Sequence, residues 1–324
     1  MDRRNVPVTI ANDAALGDIW SAHHRYLLDV GYRMLGSVSE AEDIVQEAFI
    51  RLLRTEIGDI VDVRGWLVVI VTRLCLDQLR SARNRREVYV GLWLPEPVIA
   101  PSDQSNDPVD RVTLDDSVRM AMLLVLERLS PAERAAFVLH DVFQFSFEEV
   151  AGIAGRTPAA CRQLASRTRR HIQAEVTPAR FQVNDADLSH VADQFIAAAT
   201  DGDLHALMQV LDPNVVGHTD SGGFVPAPRH LITGREKVAH GLLGFLKGFR
   251  ATLVPIPVNG EPGVLVYQDD RLMAVVSLEF RDGLISKIHA IANPHKLAYV
   301  SSVIQAMPGS RSAPRSLSGA RSTP

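Results

Sequence analysis

Cysteine is nearly missing from this chain of 324 residues: Cys75 and Cys161 are the two present, each inside a helical pattern and neither near a His or a second Cys at ligand spacing. That excludes a disulfide framework and a zinc site, and leaves two buried, reduced thiols as the expectation. No apolar run reaches the roughly 18 to 20 residues that would span a bilayer, and Met1 to Ala11 holds no apolar core before a cleavage site. The expectation is a cytoplasmic chain with no membrane partner, no metal and no cofactor. Lysine is absent before Lys237, so arginine carries the basic chemistry of the first two thirds.

What is present is an ordinary soluble composition, 46% apolar and 22% charged, long enough for two or three domains. The net charge of −4 opposes nucleic-acid binding as a sum, but its distribution does not. Arg73, Arg80, Arg83, Arg85 and Arg86 crowd one segment; Arg156, Arg162, Arg167, Arg169 and Arg170 crowd a second that contains no acid. A planar guanidinium donates two parallel hydrogen bonds, which suits phosphates and base edges.

Residues 14–86 read as helices. Between Ser39 and Arg54, Ala41, Ile44, Val45, Ala48, Phe49, Leu52 and Leu53 recur with the helical period, while Asp43, Gln46 and Glu47 take the other face. Ser39 with Glu42 reads as the capping box that starts this helix. A second helix is expected from about Arg64 to Arg83. Residues 87–112 read as a linker punctuated by Pro95, Pro97, Pro101 and Pro108, with Trp93-Leu94-Pro95-Glu96-Pro97 too aromatic for a passive tether.

Helices resume over 113–175. Asp115–Leu129 is followed by Ser130-Pro131-Ala132-Glu133, a capping box with proline at the first helical position. Ser146–Ala154 opens on another box (Ser146, Glu149), stops at Gly155 and restarts at Thr157-Pro158, a helix-turn-helix pattern. In its second helix Ala159, Arg162, Gln163, Ser166, Arg167 and Arg170 face away from the Cys161 and Leu164 stripe, with Arg156 and Thr157 just ahead. Arg162 and Gln163, near the N-terminal end, are the expected base readers; the later arginines are expected at phosphates.

Over 184–300 the character becomes mixed: helices at Leu188–Thr200, Asp203–Leu211 and Gly234–Phe249, then strands at Thr252–Val258, Gly263–Tyr267, Leu272–Phe280 and Leu284–Ile291, an α+β domain. Residues 301–324 are rich in Ser, Arg, Pro and Gly and read as a disordered tail.

Ala41-Glu42-Asp43-Ile44-Val45-Gln46-Glu47-Ala48-Phe49, Arg64-Gly65-Trp66-Leu67 and Asp77-Gln78-Leu79-Arg80 closely resemble region 2 of the extracytoplasmic-function sigma factors. Residues 113–172 resemble their region 4. The resemblance implies a multi-domain chain, with two all-α sigma domains followed by a SnoaL/NTF2-like cone. It implies that Asp43, Gln46 and Glu47 dock on the clamp helices of the largest subunit of core RNA polymerase, and that region 4 meets the flap of the second subunit while reading the minus-35 element. Region 2 would melt the minus-10 element of promoter DNA, through a loop and helix start at Asp62, Val63, Arg64 and Trp66 and strand contacts at Arg73, Asp77, Arg80 and Arg83.

A group within this family carries a fused cone in place of a separate anti-sigma factor, with three sequence marks. Trp93, Leu94, Pro95, Glu96 and Pro97 match the linker mark in full. Asp220, Gly222 and Gly223 match an Asp-Gly-Gly-Gly-basic mark, with Ser221 and Phe224 departing. Asn293, Pro294, Lys296 and Leu297 match Asn-Pro-Asp-Lys-Leu, with His295 departing. These positions are expected at inter-domain contacts. Two rival readings use the same domains: a ligand-responsive helix-turn-helix regulator with the cone as sensor, and an enzyme in which Asp220, His218 and His289 line a cone pocket as an acid/base set.

Overall fold

The computed structural model describes residues 10–55, 60–86, 89–99, 118–175 and 185–307. Three helices form the first layer: α1 (Ile10–Leu35), α2 (Val38–Leu53) and α3 (Val63–Arg86). Helix α2 begins earlier than the sequence suggests. Its N-cap is Ser37, whose hydroxyl accepts from Glu40 N at 3.1 Å, rather than Ser39. Ser39 lies inside the first turn, where its N–H and hydroxyl both donate to Glu96, a residue no local pattern could bring in.

The helix-turn-helix half contains α4 (Met120–Arg128), α5 (Pro131–Phe137), a π-helical turn (Val138–Val142), α6 (Phe147–Ala154) and α7 (Pro158–Glu175). Both anticipated capping boxes, at Ser130/Glu133 and Ser146/Glu149, are formed. Gly155 ends α6 in the left-handed conformation (φ 64°).

The two helical halves share one continuous apolar core, from Leu27, Leu35 and Val71 through to Phe137, Val150 and Cys161. Arg134 of α5 is fully enclosed in it and donates to Met34 O at 2.8 Å and Glu127 Oε1 at 2.9 Å. Burial lowers its guanidinium to about 10. Tyr26 of α1 meets Phe143 edge to face, centroids 5.2 Å apart.

The third domain packs α8 (Asp185–Asp201), α9 (Leu204–Val210) and α10 (Arg235–Phe249) against one face of a six-stranded sheet. Its strands are β1 (Leu211–Asp220), β2 (Ile232–Thr233), β3 (Thr252–Val258), β4 (Glu261–Gln268), β5 (Arg271–Arg281) and β6 (Leu284–Ile291), in the order β2-β1-β6-β5-β4-β3. Strands β1 and β6 are parallel and the other pairs antiparallel. The opposite face of the sheet, through Val258, Leu265, Val275 and Ile291, packs on Leu94 and Ile99 of the linker, Met120 of α4, and α11 (Ala298–Ala306). Residues 301–306, expected within a tail, complete α11 because Val300, Val303 and Ile304 seat it on that face. The rest of the anticipated tail, and linker residues 100–112, lie outside the described residues.

Candidate nucleic-acid interface and the inter-domain latch

Helix α7 is held by Cys161, Ala165 and Thr168, each without exposed surface. That stripe turns all eight anticipated DNA contacts, Arg156, Thr157, Ala159, Arg162, Gln163, Ser166, Arg167 and Arg170, to solvent together. Arg162 is held 3.0 Å from Glu148 of α6 in an exposed pair, an arrangement that gives way readily to phosphate. Arg169 is instead paired with Asp141 at 2.6 Å.

The region 2 residues are distributed differently. Asp62 accepts from Gly65 N at 3.1 Å and so caps α3, while Val63 and Trp66 pack on the core beneath. Arg64 stacks on Tyr26, 3.9 Å from the ring centroid. Asp77 and Arg80 form an exposed pair at 2.9 Å. Arg73 is exposed and donates to Gly152 O at 3.2 Å and Ile153 O at 3.4 Å, at the carbonyl end of α6. Arg83 belongs to α3, its side chain outside the described residues, and Asp59, the first residue of the loop anticipated over Asp59 to Arg64, is likewise outside. On α2, Asp43 and Gln46 are exposed beside Ile50 and Leu53, and Glu47 pairs with Arg51 at 2.8 Å.

The three sequence marks converge on one carboxylate, although Leu94 and Asp220 are 126 residues apart and Asp220 and Lys296 are 76 apart. Asp220, at the end of β1, has no exposed surface. Its Oδ1 accepts from Tyr89 Oη at 2.5 Å and Gly222 N at 3.1 Å; its Oδ2 accepts from Leu94 N at 2.8 Å and Lys296 Nζ at 2.7 Å. Lys296 also donates to Leu94 O and lies 4.0 Å from the Trp93 ring centroid. Asn293 donates to Tyr89 Oη at 2.8 Å. Burial, and then the neighbouring Asp220, push the Tyr89 phenol well above its ordinary range. Gly222 has φ 57°, and a Cβ there would lie 2.6 Å from Asn293 Nδ2, so glycine alone fits. The departures from the marks meet each other: the Phe224 and His295 rings pack edge to face at 5.1 Å.

Glu96 extends the latch into region 2. Its carboxylate accepts from Val38 N (2.8 Å), Ser39 N (3.1 Å), Ser37 Oγ (2.9 Å) and Ser39 Oγ (2.8 Å), capping α2 from the linker. Pro95 and Pro97 are buried with it.

Two residues of this assembly, Tyr89 and Asn259, escaped the sequence. Asn259, in the turn between β3 and β4, is fully buried and left-handed (φ 53°). Its Nδ2 donates to Tyr32 Oη and to Val118 O, both at 2.8 Å, and its Oδ1 accepts from Val98 N at 3.2 Å. A single amide thus touches region 2, the linker and the entry to region 4. Asn259-Gly260 is a strong hairpin signal, but such turns usually face water, and nothing local announces burial.

Of the proposed acid/base set, His218 alone reaches the wall of the domain's cavity; Asp220 and His289 do not. His218, Asp220 and His289 fall on the sheet face turned toward the linker and α4, by strand alternation with Ile291. The His218 and His289 rings lie 5.7 Å apart, and His289 Nε2 is 2.7 Å from Glu279 Oε1. Burial, then the His289 charge, lowers His218 to about 4. Burial would raise Glu279, but His289 and Lys287 outweigh it and hold the carboxyl at about 2. Among the described residues no cluster of His, Cys, Asp or Glu is placed to hold a metal, and no helix is long and apolar enough to cross a membrane.

The comparisons follow this geometry. Residues 19–85 match the Sigma-70 region 2 model and residues 119–172 the Sigma-70 region 4 model. The chain is 43% identical over 288 residues to "Probable ECF RNA polymerase sigma factor SigI" of Mycobacterium tuberculosis strain H37Rv, covering 86% of this chain and 93% of that protein. It is 41% identical over 293 residues to ECF RNA polymerase sigma factor SigJ of the same strain, covering 86% and 91%. The crystal structure of SigJ superposes with a TM-score of 0.69 at 36% identity, over 86% of this chain and 97% of that one. With two sigma modules in order, an α+β domain behind them and relatives that match nearly end to end, the chain belongs to the extracytoplasmic-function (ECF) RNA polymerase sigma factors.

Proposed function

We propose that this sigma factor rests in a closed state maintained by its own cone, and that promoter recognition requires regions 2 and 4 to part. The observation that carries this reading is the single core joining the two helical halves, with the Asp220, Glu96 and Asn259 contacts fastened across it. Elements named minus-35 and minus-10 lie about 25 base pairs apart, roughly 85 Å of duplex at 3.4 Å per step. A packed chain of this length has a radius of gyration of about 20 Å. It cannot reach both elements while closed.

In the open state α7 would read the minus-35 element through Arg162 and Gln163, with Arg156, Arg167 and Arg170 on phosphates. Arg73, freed from α6, would join Arg80 on the displaced strand. The exposed α2 face of Asp43, Gln46 and Glu47 would dock on the clamp helices of core RNA polymerase, and region 4 on the flap. Because the cone is tethered, its effective concentration is high, so no separate anti-sigma protein is required. The site of action is the cytoplasm, and the cone acts as a scaffold without catalysis.

The test pairs distance with transcription. Dyes on Ser21→Cys of α1 and Gln173→Cys of α7, both exposed and outside the proposed DNA contacts, report the separation of regions 2 and 4; the native Cys75 and Cys161 thiols are buried, with their ionisation pushed up, and label poorly. Adding core polymerase and promoter DNA to the full-length chain should lengthen the separation, and Asp220→Ala should raise transcription. An unchanged separation on the promoter overturns the closed-state reading. A chain that binds DNA but never core polymerase would be a helix-turn-helix regulator of another kind.

A further inference from the structure

The face of the sheet opposite the latch encloses a cavity of about 130 Å³, between the strands, α10 and the loop after Gly223. Its walls are apolar: Val238, Leu242 and Phe245 of α10, Val276 of β5, Ile288 of β6 and Ile232 of β2. Thr219 brings one hydroxyl, and His218, the remaining polar residue at the wall, turns its ring toward His289 on the far face. An apolar void of about 150 Å³ stays dry and accepts benzene, whereas a water needs two to four polar partners.

Two glycines keep this space open where neighbouring atoms do not demand it. A Cβ at Gly217 would meet nothing nearer than Val238 Cγ2 at 3.5 Å, and one at Gly241 nothing nearer than Ile232 Cδ1 at 3.9 Å. Gly241 sits in the middle of α10, where glycine is disfavoured against alanine. Packing alone would have filled both positions.

We propose that this cavity is a binding site for a small, uncharged, largely apolar molecule of about one ring, and that its occupancy is felt at the latch. Two connections carry the coupling. Thr219 and Asp220 are successive on β1, one facing the cavity and the other holding Lys296. The loop whose Val225, Pro226, Ala227 and Pro228 wall the cavity begins at Gly222 and Gly223, packed on Asn293 and Val90. Pro226 and Pro228 are exposed on their outer side, so this wall is where a ligand would enter. Binding stands on the cavity alone; the coupling rests on the closed-state reading above.

The probe is toluene, with benzoate as its charged counterpart, added to the full-length protein and followed by ligand-detected NMR and by the Ser21/Gln173 dye separation. Toluene should bind with a Kd on the order of 1 mM and benzoate at least tenfold more weakly. Gly241→Leu, which fills the space, should weaken toluene at least tenfold; Ala274→Val, a smaller intrusion from β5, serves if the leucine variant does not fold. No toluene binding to the native chain, or equal binding to the filled variants, overturns the site. Binding with an unchanged dye separation, in a protein whose separation does respond to Asp220→Ala, overturns the coupling and leaves the site. If Asp220→Ala is also silent, the closed-state reading is the one at fault.

Discussion

Lys296 meets Asp220 at 2.7 Å in an ion pair whose carboxylate has no exposed surface, and whose two residues follow from the same end of the parallel neighbours β1 and β6. The pair is enclosed by the linker: Leu94 bonds both partners through its N–H and its carbonyl. Removing one member leaves the other charged in a dry site. Asp220→Asn should therefore cost roughly 3–5 kcal/mol, and Asp220→Asn combined with Lys296→Met should recover much of that loss. Chemical denaturation of the two variants measures both; equal destabilisation would show that the charges do not act as a pair.

Asn259→Gly keeps the left-handed backbone and removes only the amide. It leaves Val118 O and Val98 N without this partner and Tyr32 Oη without its donor, at about 1–3 kcal/mol for an unsatisfied buried group. The expected result is a loss of about 2–4 kcal/mol on denaturation, with faster hydrogen exchange at the linker. Asn259→Ala should lose more, since alanine resists φ of 53°.

Phe224 and His295 stand where the family marks carry a basic residue and an acid, and they touch. Phe224→Arg or His295→Asp alone should cost about 0.5–1 kcal/mol, and the pair together should restore stability. Additive losses in this double-mutant cycle would show that the contact carries no energy.

Acid should loosen the cone from α4. His218 is held at about 4, below its ordinary 6.5, and is faced by His289 and Lys287 on β6, Asp220 on β1 and Arg128 on α4. The separated state takes the proton first, so stability falls as the pH drops from 6.5 toward 4. Glu279, held at about 2 against 4.5, adds a second loss only as the pH falls from 4.5 toward 2. Denaturation midpoints between pH 7 and 4.5 should decline in the native chain and stay flatter in His218→Phe.

Local chemistry was legible where one segment supplies both partners. The Ser130/Glu133 and Ser146/Glu149 boxes and the Gly155 turn were readable because their atoms lie within a few residues. The cap on α2 was not, because Ser37 with Glu40 and Ser39 with Glu42 offer the same spacing, and Glu96, which holds Val38 N and Ser39 N, arrives from 58 residues away. Strand β1 escaped because it follows α9 without a turn, and its Asp212-Pro213-Asn214 mimics one. The exposed face of α7 followed from the Cys161 stripe; Arg73 could not, since its carbonyl partners exist only once the halves pack. The latch marks were visible as a resemblance, but their convergence on one carboxylate was not.

The continuous core between the helical halves also sets how long an open molecule can last. Parted, each half holds fewer than about 80 residues, a size that seldom supplies more than 3–5 kcal/mol, and Phe137, Leu35 and their neighbours would meet water. An open chain in free solution would recluster or precipitate before finding a promoter. Release therefore has to be a handover, in which polymerase covers the newly bared surface as the cone lets go.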